Sequence, residues 1–304
     1  MLCLKAHAKI NWTLDIHGTR EDGYHLMEML MQSVDMHDTL WLEEADTLML
    51  ENAADETGAP VQKAPDALGS EAVTFDQRNL VYRAAKLLQN RYQVKGGARM
   101  RLLKKIPSGA GMGGGSADAA AALRGLNTLW KLNLPEEELL SLGLSLGADV
   151  PFMLTGGLAH VSGIGEIIHP LSPAPEIWLV MLQPCGGLST REVFTAFDSL
   201  HPALLARPDT ARAQEALLKR DLPSLGAAMN NVLEGVSAAA RPALRKAAQA
   251  LEELGAVRGM MTGSGSVVYG VFESQEKAAL AAAALTPIAL SKGWGDVWVT
   301  HTVK

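Results

Sequence analysis

Five glycines fall within seven residues near position 110 of this 304-residue chain. Glycine lets backbone amides approach a ligand closely. An alanine-rich apolar run at 119–130 follows the glycines and predicts a helix. A helix that opens at such a loop directs unpaired N–H groups and a partial positive charge toward the ligand. The pattern therefore predicts a phosphate-binding loop rather than a flexible linker, made of Pro107, Ser108, Gly109, Ala110, Gly111, Met112, Gly113, Gly114, Gly115, Ser116 and Ala117.

Common phosphate-loop patterns fit this stretch poorly. A Walker A loop needs Lys and then Ser or Thr after its last glycine, and that lysine is missing here. Gly109, Gly111 and Gly114 match the dinucleotide pattern, which should follow a buried parallel strand. Residues 99–103 instead alternate between charged and apolar types, which indicates a strand with one wet face. A nicotinamide site stays an alternative, and the protein-kinase tripeptides H-R-D and D-F-G do not occur.

Candidate catalytic side chains lie at two other places in the chain. Lys9 and Asn11 are two residues apart in an alternating run, so they project from the same face of a predicted strand. Asp149 stands two residues before Pro151 where one predicted helix gives way to the next. Taken alone, the first pair could be a solvated strand face and the aspartate a helix N-cap.

Aromatic side chains supply candidates for binding a flat ligand. Tyr24 and His25 come directly after a Glu-Asp-Gly turn signal, and Phe194 follows a Ser-Thr helix start. A flat base would gain from stacking and from directional hydrogen bonds. The plain alternatives are a half-buried corner for the first two residues and a core position for Phe194.

Composition limits the classes of partner. The chain is 48% hydrophobic and 20% charged, with a net charge of −6, which argues against a broad nucleic-acid surface. Two cysteines make neither a disulfide framework nor a metal cluster. We find no apolar run of membrane-spanning length and expect a cytoplasmic protein without nucleic-acid or membrane partners.

The elements that must position these residues indicate an α+β fold. Strands are predicted at 2–14, 33–42, 99–106 and 177–182, and a glycine turn joins two strands within 259–272. Helices are predicted at 79–88, 116–132, 135–146 and 210–254, with a helix-like apolar run at 26–31. Residues 51–77 have weak periodicity and are interpreted as a surface excursion, and 172–175 mark a plausible domain boundary.

Four separated motifs resemble those of the GHMP small-molecule kinases. They are Ala8-Lys9-Ile10-Asn11, the glycine loop with its Ser-x-Asp-Ala-Ala continuation, Gly147-x-Asp149-x-Pro151-Phe152, and the glycine turn at 262–265. The resemblance implies a two-domain fold, with a ribosomal protein S5 domain 2-like domain at 1–170 and a ferredoxin-like domain at 171–304. It also implies ATP bound at 107–117, Mg²⁺ with the ATP, Asp149 as catalytic base and Lys9 as its charge partner. No metal ligand is assigned.

Asp22-Gly23-Tyr24-His25 is similar to one branch of the family. That branch phosphorylates the 2-hydroxyl of 4-diphosphocytidyl-2-C-methyl-D-erythritol in non-mevalonate isoprenoid synthesis. The likeness implies that Tyr24 and Phe194 cover the two faces of the cytosine, His25 reads its edge and Asn11 touches the substrate. Ala117 stands where the branch often has a second serine. Alternatives are a homoserine or mevalonate type of GHMP kinase, or a non-catalytic ligand-binding protein, and a monomer or weak homodimer is expected.

Overall fold

A long antiparallel hairpin forms the centre of the fold, and a computed structural model describes it within residues 1–53, 73–201 and 206–304. Strand β1 (Leu2–Thr19) pairs with strand β2 (His25–Ala45) along nearly its whole length. The register of this pairing shifts at three places, the first between His7 and Lys9. Such irregularities re-aim the side chains that follow them, so this one bears on where Lys9 points.

The hairpin belongs to a seven-stranded sheet. Its other strands are β3 (Met49–Asn52), β4 (Gly97–Leu103), β5 (Leu158–Gly163), β6 (Ile167–Leu171) and β8 (Asn230–Asn231). The order is β3-β4-β2-β1-β8, and β5 pairs with both β2 and β6. The predicted antiparallel strand before the glycine loop is confirmed, because β4 runs antiparallel to β2.

Helices α1 (Leu80–Arg91), α2 (Gly114–Leu129), α3 (Glu136–Leu146) and α4 (Val150–Thr155) pack with one side of this sheet. Asn79 caps α1 by accepting a hydrogen bond from the Val81 amide at 2.9 Å. Helix α2 buries a run of alanines against α1 and the central hairpin. Small side chains allow this close packing, which fixes the start of α2 beside the strand that carries Lys9.

A second, four-stranded antiparallel sheet has the order β11-β7-β10-β9. Its strands are β7 (Trp178–Leu182), β9 (Gly259–Met261), β10 (Val268–Phe272) and β11 (Val297–His301). The helices of this half are α5 (Thr190–Asp198), α6 (Thr210–Lys219), α7 (Leu222–Ala228), α8 (Glu234–Ala240), α9 (Ala243–Glu253) and α10 (Gln275–Ser291). The two sheets share an apolar core, since Met29 and Met31 of β2 pack in one cluster with Val180 and Leu182 of β7.

One predicted element is wrong. The run at 26–31 lies in β2, where Met29 and Met31 join one apolar cluster and Leu30 joins another. Both faces of the strand are covered there, so its sequence lacks the alternation that marks a half-exposed strand.

Two further predictions stay open. Residues 54–72 of the predicted surface excursion lie outside the described residues. The predicted domain boundary between residues 170 and 171 falls inside β6 and remains a prediction. In the described ranges we find no helix with the length and apolarity needed to cross a bilayer.

Candidate active site

A cavity of about 760 Å³ opens beside the glycine loop, between the two halves of the chain. Most of the residues predicted from sequence lie on its wall. They are Lys9, Tyr24, His25, Asp149, Phe194 and residues 107–111 and 113–116. Three predicted residues do not line it, because Asn11, Met112 and Ala117 are buried behind the wall.

Main-chain hydrogen bonds hold the glycine loop to both halves of the protein. The Lys9 amide donates to the Met112 carbonyl at 3.1 Å, and the Val267 amide donates to the Ala110 carbonyl at 3.1 Å. Gly111 has a φ of +77°, and a Cβ there would overlap the carbonyl oxygen of Thr262. Glycine is therefore required at this position by conformation and by space.

Helix α2 begins at Gly114, directly on the cavity wall. Its N-cap, Gly113, is left-handed with a φ of +68° and has no side chain to cover the free amides of the first turn. These amides carry the partial positive charge of the helix N-terminus. The wall at 113–116 can thus bind a phosphate chain through backbone donors.

Lys9 and Asp149 converge at this loop from positions far apart in the sequence. A Cβ built on Gly113 would lie 3.4 Å from Lys9 Cγ and 3.6 Å from Asp149 Oδ2. Burial lowers the pKa of the Lys9 ammonium, and the negative charge of Asp149 partly opposes that shift. Asp149 stands at the N-cap position of α4, yet its side chain makes no capping hydrogen bond there among the described residues. Its carboxylate is therefore left for other chemistry.

Asn11 acts on Lys9 from behind the wall. Lys9 Nζ donates to Asn11 Oδ1 at 2.7 Å, and the Gly263 amide donates to the same oxygen at 3.2 Å. Asn231 Nδ2 donates to the Gly263 carbonyl at 2.8 Å and so holds the same glycine turn. Asn11 therefore holds Lys9 in place in this structure, and its contact with substrate stays a prediction.

The aromatic residues cluster at another part of the wall. The ring centroids of His25 and Phe194 are 4.7 Å apart at an interplanar angle of 39°. His25 Nε2 lies 2.7 Å from Asp198 Oδ1, which leaves Nδ1 of the ring for other contacts. Tyr24 is 57% exposed, so its ring face is accessible to a ligand. The structure brings these three residues to one cavity with Lys9 and Asp149.

A buried charge cluster under the loop was missed by the sequence reasoning. Lys104 Nζ donates to Asp118 Oδ2 at 2.7 Å and also to Asp38, and Asp38 Oδ1 accepts from the Ile106 amide at 2.8 Å. Burial raises the pKa of the Asp118 carboxyl to about 7, Lys104 opposes that shift and Asp38 adds to it. Asp118 stands within the alanine-rich helix α2, and an acidic residue in such an apolar run was the sequence signal that could have indicated a buried charge.

Two family models match the chain. The model of the GHMP kinases N terminal domain covers residues 79–157, and that of the GHMP kinases C terminal covers residues 213–291. The first span contains the glycine loop and Asp149. The chain belongs to the GHMP kinase family, with its two-domain fold, and such proteins are ATP-dependent small-molecule kinases.

Several curated relatives carry the same name. A 4-diphosphocytidyl-2-C-methyl-D-erythritol kinase of Alkaliphilus metalliredigens is 37% identical over 275 residues, which is 90% of this chain and 89% of the relative. The kinase of the same name from Bacillus pumilus is 39% identical over 273 residues, 90% of this chain and 89% of the relative. That of Clostridium botulinum is 36% identical over 304 residues, 99% of both chains.

Solved structures agree with this placement. A 4-(cytidine 5'-diphospho)-2C-methyl-D-erythritol kinase superposes with a TM-score of 0.80 at 30% identity, covering 100% of both chains. A homoserine kinase from Cytophaga hutchinsonii superposes with a TM-score of 0.70 at 19% identity, over 98% of this chain and 94% of that one. The second match shows the shared fold alone.

Proposed function

We propose that this protein transfers the γ-phosphoryl group of ATP to the 2-hydroxyl of 4-diphosphocytidyl-2-C-methyl-D-erythritol. The convergence of Lys9 and Asp149 at the glycine loop, in one cavity with Tyr24, His25 and Phe194, carries the proposal. The names of the relatives support the choice of substrate. With that substrate, the reaction belongs to the non-mevalonate isoprenoid pathway.

The phosphate end of the cavity would work mainly by positioning and charge. Phosphoryl transfer needs neutralisation of the phosphate oxygens and in-line placement more than covalent help. Lys9 and residues 113–116 line the space where the phosphates would lie. Asp149 would accept the proton of the attacking hydroxyl, a role worth about 10²–10⁴-fold in rate. Lys9 would be the charge partner of Asp149 and would orient the hydroxyl.

Mg²⁺ fits the donor set on this wall. Mg²⁺ prefers oxygen ligands and commonly combines one or two carboxylates with substrate phosphates. Ser116 and Asp118 both line the cavity, and Asp118 Oδ1 is buried without a hydrogen-bond partner among the described residues. These two residues would hold the ion, which neutralises phosphate charge when bound.

The aromatic end would recognise cytosine. Tyr24 would stack on the base, and one such contact is worth about 1–3 kcal/mol. Phe194 would cover the opposite face, and His25 would meet the base edge through Nδ1, because Nε2 is engaged with Asp198. Homoserine and mevalonate have no base for these rings to contact.

The organisation of the protein follows from the same proposal. Residues 1–170 would form the ATP-binding and catalytic domain, and residues 171–304 would complete the substrate site. We expect a cytoplasmic monomer or weak homodimer with a small-molecule partner and no nucleic-acid or membrane partner, in line with the net charge of −6.

A substrate panel tests the function. Purified protein would receive Mg²⁺·ATP with the cytidyl substrate, homoserine or mevalonate, with ADP release as the readout. ³¹P NMR of the product would locate the new phosphomonoester. We expect turnover with the cytidyl substrate alone and phosphate on its 2-hydroxyl. Faster turnover of another alcohol would assign a different substrate, and tight ATP binding without any turnover would favour a non-catalytic protein.

A further inference from the structure

Three potential metal ligands meet on the central hairpin outside the cavity described above. His7 of β1 lies directly opposite His37 of β2 in the antiparallel register, and Asp35 stands two residues before His37. Each of the three side chains offers one ligand atom, and these atoms all lie within 4.8 Å of one another. That spacing is small enough for a single ion.

Hydrogen bonds fix both imidazole rings in a form suited to a metal. His7 Nδ1 lies 3.1 Å from the Val34 carbonyl oxygen, and His37 Nδ1 lies 2.5 Å from the Asp35 carbonyl oxygen. A ring that donates from Nδ1 keeps a lone pair on Nε2, and we take Nε2 as the ligand atom of each histidine. Metal-binding histidines almost always have such a partner for the other ring nitrogen.

The environment keeps the site open to solvent. All three side chains are partly exposed, and Asp35 and His37 line a second cavity of about 570 Å³. The cavity leaves room for a water ligand.

We propose that His7, Asp35 and His37 bind a divalent transition metal of the zinc type, with water completing the coordination. Two imidazoles and a carboxylate suit Zn²⁺, whereas Mg²⁺ and Ca²⁺ prefer sites made wholly of oxygen. The site is separate from that of Mg²⁺·ATP, because none of these three side chains lines the cavity at the glycine loop. Asp35 and His37 line the second cavity, and His7 lies next to them.

The position of the site indicates what the metal would do. Next to it, the Met36 amide donates to Thr300 Oγ1 at 3.1 Å and joins β2 to β11 of the second sheet. A bound ion would tie β1 to β2 two residues before Lys9, at the contact between the two sheets. Binding to the folded state alone stabilises a protein by mass action, so Zn²⁺ should raise the unfolding temperature.

Zinc titration of tag-free, metal-stripped and nucleotide-free protein tests the proposal. A chromophoric chelator of known affinity would compete for Zn²⁺, and Co²⁺ would report the ligand geometry by its visible absorption. We expect one Zn²⁺ per chain. Loss of a residue that merely hydrogen-bonds to a metal ligand typically weakens metal binding about 10–100-fold. His37→Gln removes a ligand itself, so it should weaken Zn²⁺ binding by at least about that factor. Asp35→Asn and His7→Gln should also weaken it, and His169→Gln serves as the matched control.

The Zn²⁺ affinities and unfolding temperatures of the variants decide between the presence and the absence of this site. Retention of wild-type Zn²⁺ affinity in both His7→Gln and His37→Gln would overturn the proposal, as would displacement of Zn²⁺ by equimolar Mg²⁺. Loss of the Zn²⁺-induced rise in unfolding temperature in His37→Gln, with an unchanged unfolding temperature in metal-free buffer, would support it. That comparison distinguishes a lost ligand from a misfolded variant.

Discussion

Replacement of Asp149 by asparagine removes one negative charge from the cavity and keeps the size of the side chain. The carboxylate makes no capping bond to α4 among the described residues, so the helix should not depend on it. The free energy of unfolding should therefore change little. The amide, however, cannot accept a proton from the attacking hydroxyl.

Two effects on catalysis should follow. Loss of general-base catalysis lowers kcat by about 10²–10⁴-fold, equivalent to about 3–5 kcal/mol in activation free energy. The second effect concerns Lys9, whose pKa is lowered by burial and raised by the charge of Asp149. Without that charge the pKa of Lys9 falls further. The proposed role of Lys9 needs its ammonium form, so the alkaline limb of kcat/KM should move to lower pH in the variant.

Steady-state kinetics across pH, with ATP-analogue binding by calorimetry, would measure both effects. Asp296→Asn is the matched control, because Asp296 is exposed in the loop before β11. We expect wild-type kinetics for this control and unchanged ATP-analogue affinity for both variants. A kcat close to wild type in Asp149→Asn would refute the base role, and an alkaline limb that stays in place would refute the coupling to Lys9.

Three other substitutions test separate parts of the site. Tyr24→Ala should weaken binding of the cytidyl substrate by about 1–3 kcal/mol and spare ATP, as measured by calorimetry; equal affinity for the substrate would argue against stacking. Gly111→Ala places a Cβ against the Thr262 carbonyl at a φ of +77° and should lower ATP-analogue affinity, whereas Gly293→Ala has a similar φ of +65° and open space among the described atoms. The same loss in both would mean that the overlap is unimportant. The native pKa of the Asp118 carboxyl is about 7, so the unfolded wild type loses this proton at a lower pH than the folded one, and the wild type loses stability between about pH 4 and about pH 7. Asparagine removes this loss, so Asp118→Asn should raise the free energy of unfolding more at about pH 8 than at about pH 5. Urea unfolding at both pH values measures this, and an equal change at both would contradict it.

Local patterns in the sequence were sufficient for the elements nearest the phosphates. The glycine loop and the alanine run predicted α2, and the glycine turn predicted β9 and β10. These signals lie within a few residues of one another, so they do not depend on the rest of the fold. The strand alternation also placed Lys9 and Asn11 on one face, as their hydrogen bond confirms.

Long-range contacts could not be read from the residues themselves. The approach of Lys9 to Asp149 was expected only from the likeness to known kinases. Asn231 contacts the glycine turn through a two-residue strand, and Asp38 meets Lys104 across paired strands. In each case the partner is distant in sequence and has no local pattern of its own.

The same limit applies to Asn11, whose contact with substrate stays a prediction. The likeness to known kinases suggested that Asn11, beside Lys9, contacts the substrate. Whether its side chain lines the cavity depends on which distant segment of the chain packs against it. The glycine turn at 262–265 packs there and accounts for the side chain's hydrogen bonds to Thr262 and Gly263.

A crystal structure of the protein with a non-hydrolysable ATP analogue and the cytidyl substrate would test the central claim most directly. The account predicts β- and γ-phosphates at the amides of 113–116, cytosine against Tyr24 and the 2-hydroxyl within about 2.6–3.2 Å of an Asp149 carboxylate oxygen. A substrate hydroxyl directed away from Asp149, or a cytidine bound outside the cavity, would contradict it.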